Sequence, residues 1–216
     1  MKKTSLFVLG LCTTMAVFAQ DDKPARTEME RKIYFGVKAG VNLANFRVHD
    51  FPSPEPDVNM KTSANGGFFA NIPLTEKFAF QPELLYNGMG SKIKFGTTSS
   101  EQDLSYISLP LMIQLRTMGG FFVELGPQPS ILIRANSQVA GGAQTDNKDS
   151  YDSFDLALGG GIGYTSRVGL GVNARYNLGL TNTLEDGGGN NSPNNGAELK
   201  NNVVHIGLFY MFGASK

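Results

Sequence analysis

Apolar and polar side chains alternate with a period of two in eight stretches of the chain. In the first stretch, Ile33, Phe35 and Val37 share one side, while Gly36 and Lys38 share the other. A strand points successive side chains to opposite faces, so this pattern predicts eight half-buried strands. The predicted strands cover residues 33–46, 64–72, 78–87, 107–116, 121–131, 155–164, 170–180 and 204–212. The second is the weakest, because Phe69 breaks its alternation.

The connections between these strands alternate in length. Short connections follow the second, fourth and sixth strands, at residues 73–77, at residues 117–120 and near Ser166 and Arg167. Longer polar connections follow the first, third, fifth and seventh strands, including residues 47–62, 135–152 and 183–198. Short turns at one end and long loops at the other are typical of outer-membrane β-barrels, in which the short turns are periplasmic.

Charged side chains keep to one face of the predicted strands. The apolar face carries no Lys, Arg, Asp or Glu in any of the eight stretches. A charge on the lipid face of a barrel costs about 2–4 kcal/mol at mid-depth, so we expect the uncharged face to contact lipid. The ionic positions on the other face are Lys38, Glu83, Arg116, Glu124, Asp155 and Arg175. The predicted fold is an eight-stranded antiparallel transmembrane up-and-down β-barrel.

The predicted barrel has an interior just wide enough to be filled by its own side chains. Its inward face carries three bases and three acids, the six ionic positions named above. Buried charges need partners. We therefore expect a plugged, non-conducting interior held together by ion pairs and water, with a structural role for this charge network.

The N-terminal residues resemble a secretory signal peptide. Lys2 and Lys3 precede an apolar stretch at residues 6–17, and Ala19 ends a cleavage site of the Val-Phe-Ala type. Cys12 would suggest lipidation, but Leu11 precedes it where a small residue is expected. The expected organisation is a signal peptide at 1–19, a periplasmic lead-in at 20–32, the barrel at 33–213 and a tail at 214–216.

Composition supports this class of protein and excludes others. After the predicted signal peptide no apolar run is long enough for a membrane-spanning helix, which needs about 20 residues. Lipid then admits only a closed barrel, and 26 Gly, 15 Phe and 7 Tyr suit strands and turns. The 19 basic residues match 19 acidic ones, so the chain has no electrostatic footprint for nucleic acid.

Three segments resemble a known family. They are residues 81–86 (Gln-Pro-Glu-Leu-Leu-Tyr), 109–111 (Leu-Pro-Leu) and above all 174–182, with the pattern Arg-Tyr-x-x-Gly-Leu-x-Asn. On the basis of these segments the chain resembles the PorT-like outer-membrane β-barrel family of the Bacteroidetes. The resemblance extends over about residues 34–212. The resemblance implies the fold and an outer-membrane location. It allows an accessory role in a secretion or gliding machine, since the family's namesake has such a role, although most members have no assigned activity.

The last strand also resembles the sorting signal that the barrel-assembly machinery reads. The matching positions are His205, Gly207, Tyr210 and Phe212. The match departs from the usual form because residues 213–216 follow the terminal aromatic. The resemblance implies that this machinery is a partner during insertion.

Other candidate sites favour a structural interpretation. The glycine run at residues 159–163 has neither dinucleotide spacing nor a following helix, so it predicts luminal glycines. His49 and His205 are the only histidines, and His205 has no hydroxyl nucleophile at a supporting spacing. Three loop carboxylates lack EF-hand spacing, which favours a solvated loop over a Ca²⁺ site; they are Asp146, Asp149 and Asp152. We predict no catalytic residue, metal or cofactor.

The sequence thus predicts a non-enzymatic outer-membrane barrel with a structural or surface-contact role in the cell envelope. Its expected partners are outer-membrane lipid and the assembly machinery, and no surface or secretion partner is identified. Two alternatives remain open. One is an accessory component of a secretion or gliding machine, and the other is a soluble periplasmic ligand-binding barrel of the lipocalin type.

Overall fold

A nearly continuous set of antiparallel strands makes up the described chain. The computed structural model describes residues 32–49, 57–95, 98–139, 144–146, 148, 151–182 and 198–214. The predicted signal peptide with Cys12, and most of the predicted lead-in, lie outside these ranges. The strands are β1 Tyr34–His49, β2 Asp57–Pro73, β3 Phe78–Phe95, β4 Thr98–Ser108, β5 Leu111–Arg116, β6 Phe121–Val139, β7 Gln144–Asp146, β8 Phe154–Thr165, β9 Leu170–Gly179 and β10 Glu198–Met211.

The sheet closes because the last strand pairs with the first. β10 runs antiparallel to β1 from the pair Gly36 and Met211 to the pair His49 and Glu198. The strands between them pair with their neighbours in chain order, and β7 adds a short strand beside β6. Closure leaves no open edge in the membrane-spanning part, which is what lipid requires of a sheet. The predicted up-and-down barrel is confirmed.

β4 and β5 together form one wall of the barrel. Both pair with β3 on one side and β6 on the other. They are separated at Leu109 and Pro110, because a proline has no N–H to donate to the ladder. The Pro110 carbonyl still accepts a hydrogen bond from the Glu83 N–H at 2.9 Å. Counting this pair as one wall gives the eight predicted from the sequence.

The apolar face of the barrel points outward. Phe35, Phe68, Leu125, Ile162 and Leu208 are each more than half exposed, although they come from five different strands. The alternate positions, which include most of the polar residues of the strands, are buried. A soluble barrel has the opposite arrangement, so the lipocalin-type alternative is wrong.

Aromatic rings gather on the outer surface at the short-turn end. The Phe121 and Tyr164 ring centroids are 4.9 Å apart on neighbouring strands, and those of Tyr210 and Phe212 are 5.3 Å apart. Aromatic girdles of this kind mark the membrane interface of barrels, since these rings tolerate both lipid and water. The turns beside them, at residues 74–77, 117–120 and 166–169, are short.

At the opposite end the strands are longer than the sequence predicted. β3 continues to Phe95 and pairs with β4 without interruption, from Leu85 with Ser108 to Phe95 with Thr98. The predicted long loop after the third strand is therefore mostly an extended hairpin. β6 likewise continues to Val139, into the loop predicted at residues 135–152. Backbone pairing needs no apolar outer face once the strand leaves lipid, so alternation underestimates strand length there.

No helix within the described ranges is long and apolar enough to cross a membrane.

Candidate functional site

Four charged side chains from four different strands meet inside the barrel. Lys38 lies on β1, Glu83 on β3, Glu124 on β6 and Arg175 on β9. Each occupies the face opposite the lipid-facing residues of its strand, where alternation directs it into the interior. All four are almost completely buried. We call these four residues the central ion cluster.

Arg175 is the hub of the central ion cluster. Its Nη1 and Nη2 donate to Glu83 Oε2 and Oε1 at 3.0 and 2.9 Å, and its Nε donates to Glu124 Oε1 at 2.8 Å. Lys38 Nζ donates to Glu83 Oε1 at 2.7 Å. Two cations therefore neutralise two carboxylates. The guanidinium forks onto Glu83 in the planar geometry that makes arginine–carboxylate pairs strong.

Neutral amides complete the bonding of both carboxylates. Gln81 Nε2 donates to Glu83 Oε1 at 2.8 Å, and Gln114 Nε2 donates to Glu124 Oε2 at 3.1 Å. All four carboxylate oxygens of the cluster thus accept at least one hydrogen bond. Buried ion pairs offset their desolvation only when the remaining polar atoms are satisfied in this way. The arrangement suits a structural tie between strands.

The other two predicted ionic positions do not join the central ion cluster. Arg116 is only half-buried, and its Nη1 donates to Asn71 Oδ1 at 3.1 Å. Asp155 accepts hydrogen bonds from Thr181 Oγ1 at 2.7 Å and from Asn201 Nδ2 at 3.2 Å. Both lie on the predicted inward face, but away from the central ion cluster along the barrel axis. Their hydrogen-bond partners there are neutral side chains.

The predicted sorting-signal positions all lie on β10 or directly after it. His205 and Gly207 are buried on the inward face, and His205 Nδ1 lies 3.2 Å from Asn42 Oδ1. Tyr210 and Phe212 point outward at the short-turn end, where they join the aromatic girdle. Recognition by the assembly machinery stays a prediction.

An apolar layer that the sequence did not predict closes the short-turn end of the interior. Its buried members are Phe69, Phe122, Phe209 and Met211, with Tyr34 and Ala214 packed against them. We call it the inner aromatic cluster. The Phe69 and Phe209 rings meet edge to face at 5.8 Å, and the Phe122 and Phe209 centroids are 6.1 Å apart.

Glycines on the neighbouring strands make room for these rings. Phe69 pairs with Gly36, Phe122 with Gly163 and Phe209 with Gly171. A Cβ at each of these glycines would come within 2.1–2.3 Å of the opposing ring, which no structure tolerates. A phenylalanine on the polar face opposite a glycine is therefore the signal for this layer, although in the alternation alone Phe69 is only a break in the pattern.

A second apolar layer closes the interior at the opposite end. Its buried members are Ala44, Met89, Leu104, Tyr106, Leu132, Ala135 and Val203, with Tyr151 packed against them. We call it the outer apolar cluster. The Tyr151 hydroxyl donates to Gln102 Oε1 at 3.0 Å, and burial raises the pKa of Tyr151. Apart from Ala44 and Tyr151, these residues lie on strand extensions that the alternation did not predict.

An unpredicted ion pair joins strands at the same end. Lys61 on β2 is mostly buried, and its Nζ lies 2.9 Å from Glu101 Oε1 on β4. It also contacts Asp103 on the same strand. Because β3 lies between β2 and β4, these contacts link two strands that are not direct neighbours in the sheet.

The alternative ligand sites weighed from the sequence do not gain support. The glycine run at residues 159–163 lies within β8, so no helix N-terminus follows it. Asp152 is exposed, and its Oδ1 accepts a hydrogen bond from the Phe154 N–H at 3.1 Å. Asp149 and the side chain of Asp146 lie outside the described part. Among described residues, no group of three or more His, Cys, Asp or Glu could hold a metal.

Comparisons with known proteins agree with this architecture. A family model described as the outer membrane protein beta-barrel domain matches residues 18–185. The solved structure of Neisserial surface protein A is similar at 15% identity and a TM-score of 0.52, covering 82% of this chain and 97% of that one. At that identity the similarity shows the fold alone.

A further solved structure is also similar. It is Ail, the attachment invasion locus protein of Yersinia pestis, at 12% identity and a TM-score of 0.48, covering 83% of this chain and 98% of that one. No curated protein is significantly similar to the sequence.

Proposed function

Because the chain belongs to the outer membrane protein beta-barrel domain family, we propose that it is a closed, non-enzymatic barrel that acts through contacts at the cell surface. Its interior serves stability, and its strand extensions beyond the lipid-facing belt supply the contact surface.

The observation that carries this proposal is the layered closure of the interior. The inner aromatic cluster, the central ion cluster and the outer apolar cluster follow one another along the barrel axis. An ion crossing the barrel would have to pass two apolar layers and displace a neutral set of ion pairs. Desolvating an ion in such surroundings is very unfavourable, so the barrel should not conduct.

Conductance measurements test the closed interior. The purified full-length protein is incorporated into planar lipid bilayers, with a large porin as the positive control for insertion. We expect no stepwise conductance, whereas the porin shows discrete steps. Reproducible single-channel steps from the folded protein, identified by its heat-modifiable mobility, would contradict the proposal.

The surface-contact role rests on the extended hairpin formed by β3 and β4. Its pairing runs from Leu85 with Ser108 to Phe95 with Thr98, beyond Tyr86 and Ile107, the last exposed apolar side chains among those that the structure describes on β3 and β4. By the usual orientation of such barrels, this end faces the outside of the cell and the short turns face the periplasm. We expect the extended strands there to supply a surface for contact with other molecules.

Epitope tags test this orientation. One tag is inserted between Gly96 and Thr97 at the hairpin tip, and a matched tag is inserted between Met118 and Gly119 in a short turn. We expect antibody to label the hairpin tag on intact cells and the turn tag only after permeabilisation. The reverse result would place the hairpin in the periplasm and refute a surface role.

Export with cleavage after Ala19 is part of the same proposal. It rests on the Lys2, Lys3 and apolar pattern of the first residues. N-terminal sequencing of the protein isolated from membranes should then begin at Gln20. Retention of Met1 would contradict it.

Insertion by the barrel-assembly machinery is proposed from the last strand. The outward Tyr210 and Phe212 stand where that machinery's signal places its aromatic residues. Phe212→Ala should slow the appearance of heat-modifiable barrel in cells, while Phe35→Ala, which removes another outward phenylalanine from β1, should have a smaller effect. Equal rates for both variants would contradict this role of Phe212.

The PorT-like resemblance supports a more specific role as an accessory of a secretion or gliding machine. It rests on the Arg-Tyr-x-x-Gly-Leu-x-Asn pattern at residues 175–182. Co-purification of defined periplasmic or inner-membrane components with the detergent-extracted barrel would support that role, and isolation of the barrel without them would count against it.

A further inference from the structure

A β-bulge in β6 changes the direction of one basic side chain. Tyr106 of β4 pairs with Leu132, but the next residue, Ser105, pairs with Arg134, so Ile133 is an extra residue on β6. Leu132 and Ala135 are buried in the outer apolar cluster, whereas Ile133 and Arg134 are both exposed. Without the bulge, alternation from Leu132 would have pointed Arg134 into the interior. Bulges re-aim side chains in this manner.

Arg134 stands at the upper boundary of the lipid-facing belt. Below it on β6, Leu125, Ile131 and Ile133 are exposed and apolar. Above it the strand continues with Asn136, Ser137 and Gln138. Within the described outward face of β6, Arg134 is thus the first charge met on leaving lipid.

The guanidinium of Arg134 has no ion pair or side-chain hydrogen bond with the described residues of the chain. Its cross-strand neighbour Ser105 is occupied with another partner, since its Oγ lies 2.9 Å from the Tyr86 hydroxyl. An exposed arginine beside large apolar side chains presents its fork at the level of lipid headgroups. The aliphatic stem can lie along Ile133 while the charge reaches the interface.

From this arrangement we propose that Arg134, with Ile131 and Ile133, forms a docking site for a phosphorylated lipid of the outer leaflet. The guanidinium binds the headgroup phosphate, for which its planar fork provides two parallel donors. The two isoleucines pack against an acyl chain of the same molecule. The site rests on the proposed orientation, which places this end of the barrel at the outer leaflet.

A soluble anion or an acidic protein fits the site less well. The apolar half of the site lies in the belt that lipid covers, so only an amphiphile reaches both halves at once. The position of the charge directly above exposed isoleucines is what selects a lipid.

Lipid titration tests the site. The full-length protein in phosphatidylcholine nanodiscs is titrated with lipid A, a phosphorylated glucosamine disaccharide with several acyl chains, and bound lipid is counted by native mass spectrometry. We expect Arg134→Gln to weaken binding about tenfold, as loss of a charged hydrogen-bond pair implies, and Arg134→Lys to weaken it less. The matched control is Arg167→Gln, which removes an exposed arginine from a short turn at the other end.

Two results would overturn the proposal. One is equal affinity of the wild type and Arg134→Gln for lipid A, and the other is equal affinity of the wild type for lipid A and for its dephosphorylated form. Because both variants change exposed side chains, heat-modifiable mobility should stay the same and exclude misfolding. The tag experiment reports orientation independently, so a periplasmic hairpin would refute the surface role even if Arg134 bound lipid A in nanodiscs.

Discussion

Replacing Arg175 by methionine should destabilise the barrel strongly. The substitution keeps a long side chain but removes three charge-assisted hydrogen bonds, two to Glu83 and one to Glu124. Lys38 alone then faces two buried carboxylates. Removing one partner of a buried ion pair costs about 3–5 kcal/mol, because the remaining charge stays desolvated. We therefore expect the free energy of unfolding to fall by about that amount.

Denaturant titration in phospholipid vesicles measures this change. The chain contains no tryptophan, so unfolding is followed by circular dichroism and by the loss of heat-modifiable mobility. Arg167→Met is the matched control, since Arg167 is exposed in the turn at residues 166–169. It should change stability by no more than about 0.5 kcal/mol.

A fully neutral cluster separates charge pairing from simple loss of packing. The combined variant carries Lys38→Met, Glu83→Gln, Glu124→Gln and Arg175→Met. It leaves no charge in the cluster, so we expect it to be more stable than Arg175→Met alone, as neutral replacements of buried ion pairs often are. An unchanged midpoint for Arg175→Met, or a combined variant less stable than the single one, would refute the reasoning.

Two further predictions concern the walls of the barrel. Gly163→Ala would place a Cβ 2.3 Å from the Phe122 ring and should lower the folded fraction sharply, whereas Gly160→Ala on the same strand meets only Leu125 at 3.6 Å and should be tolerated; equal refolding yields for the two would contradict the proposed packing. Ile206→Arg puts a charge on the lipid face and should cost about 2–4 kcal/mol in vesicles, while Met118→Arg in an exposed turn should cost little. Equal stability of these last two variants would mean that the outward face does not contact lipid.

The alternation predicted the walls of the barrel and the direction of its charged side chains because lipid imposes both. A charge on the outer face is costly at mid-depth, which favours an inward position for Lys38, Glu83, Glu124 and Arg175. The same argument places Arg116 and Asp155 on the inward face, but it says nothing about depth. Depth depends on strand register, which alternation does not specify, and the structure separates these two from the other four.

The partners of the central ion cluster could not be predicted individually. Arg175 and Glu83 are 92 positions apart in the sequence, and Arg175 and Glu124 are 51 apart. Which charges meet depends on the stagger between strands across the barrel, a property of the closed sheet. A sequence pattern with period two has the same appearance for every even shift of register.

The strand ends were predicted least well, for a related physical reason. Beyond Tyr86 on β3, lipid no longer selects the outward residues, so the alternation ends although backbone pairing continues. The bulge at Ile133 is likewise not visible in the alternation of the sequence. An uninterrupted pattern continued from Ile131 would direct Arg134 inward, and only the pairing of Ser105 with Arg134 shows that it points out.

Closure and stability of this barrel depend on each other. The inner aromatic cluster and the outer apolar cluster lie on either side of the central ion cluster, and low-dielectric surroundings of this kind strengthen each ion pair. The central ion cluster in turn links β1, β3, β6 and β9 across the interior, which holds the phenylalanines against their glycines. A channel would need a continuous hydrated path through the central ion cluster, and opening one would separate charges that stabilise each other. The stabilising ion pairs therefore argue against a pore.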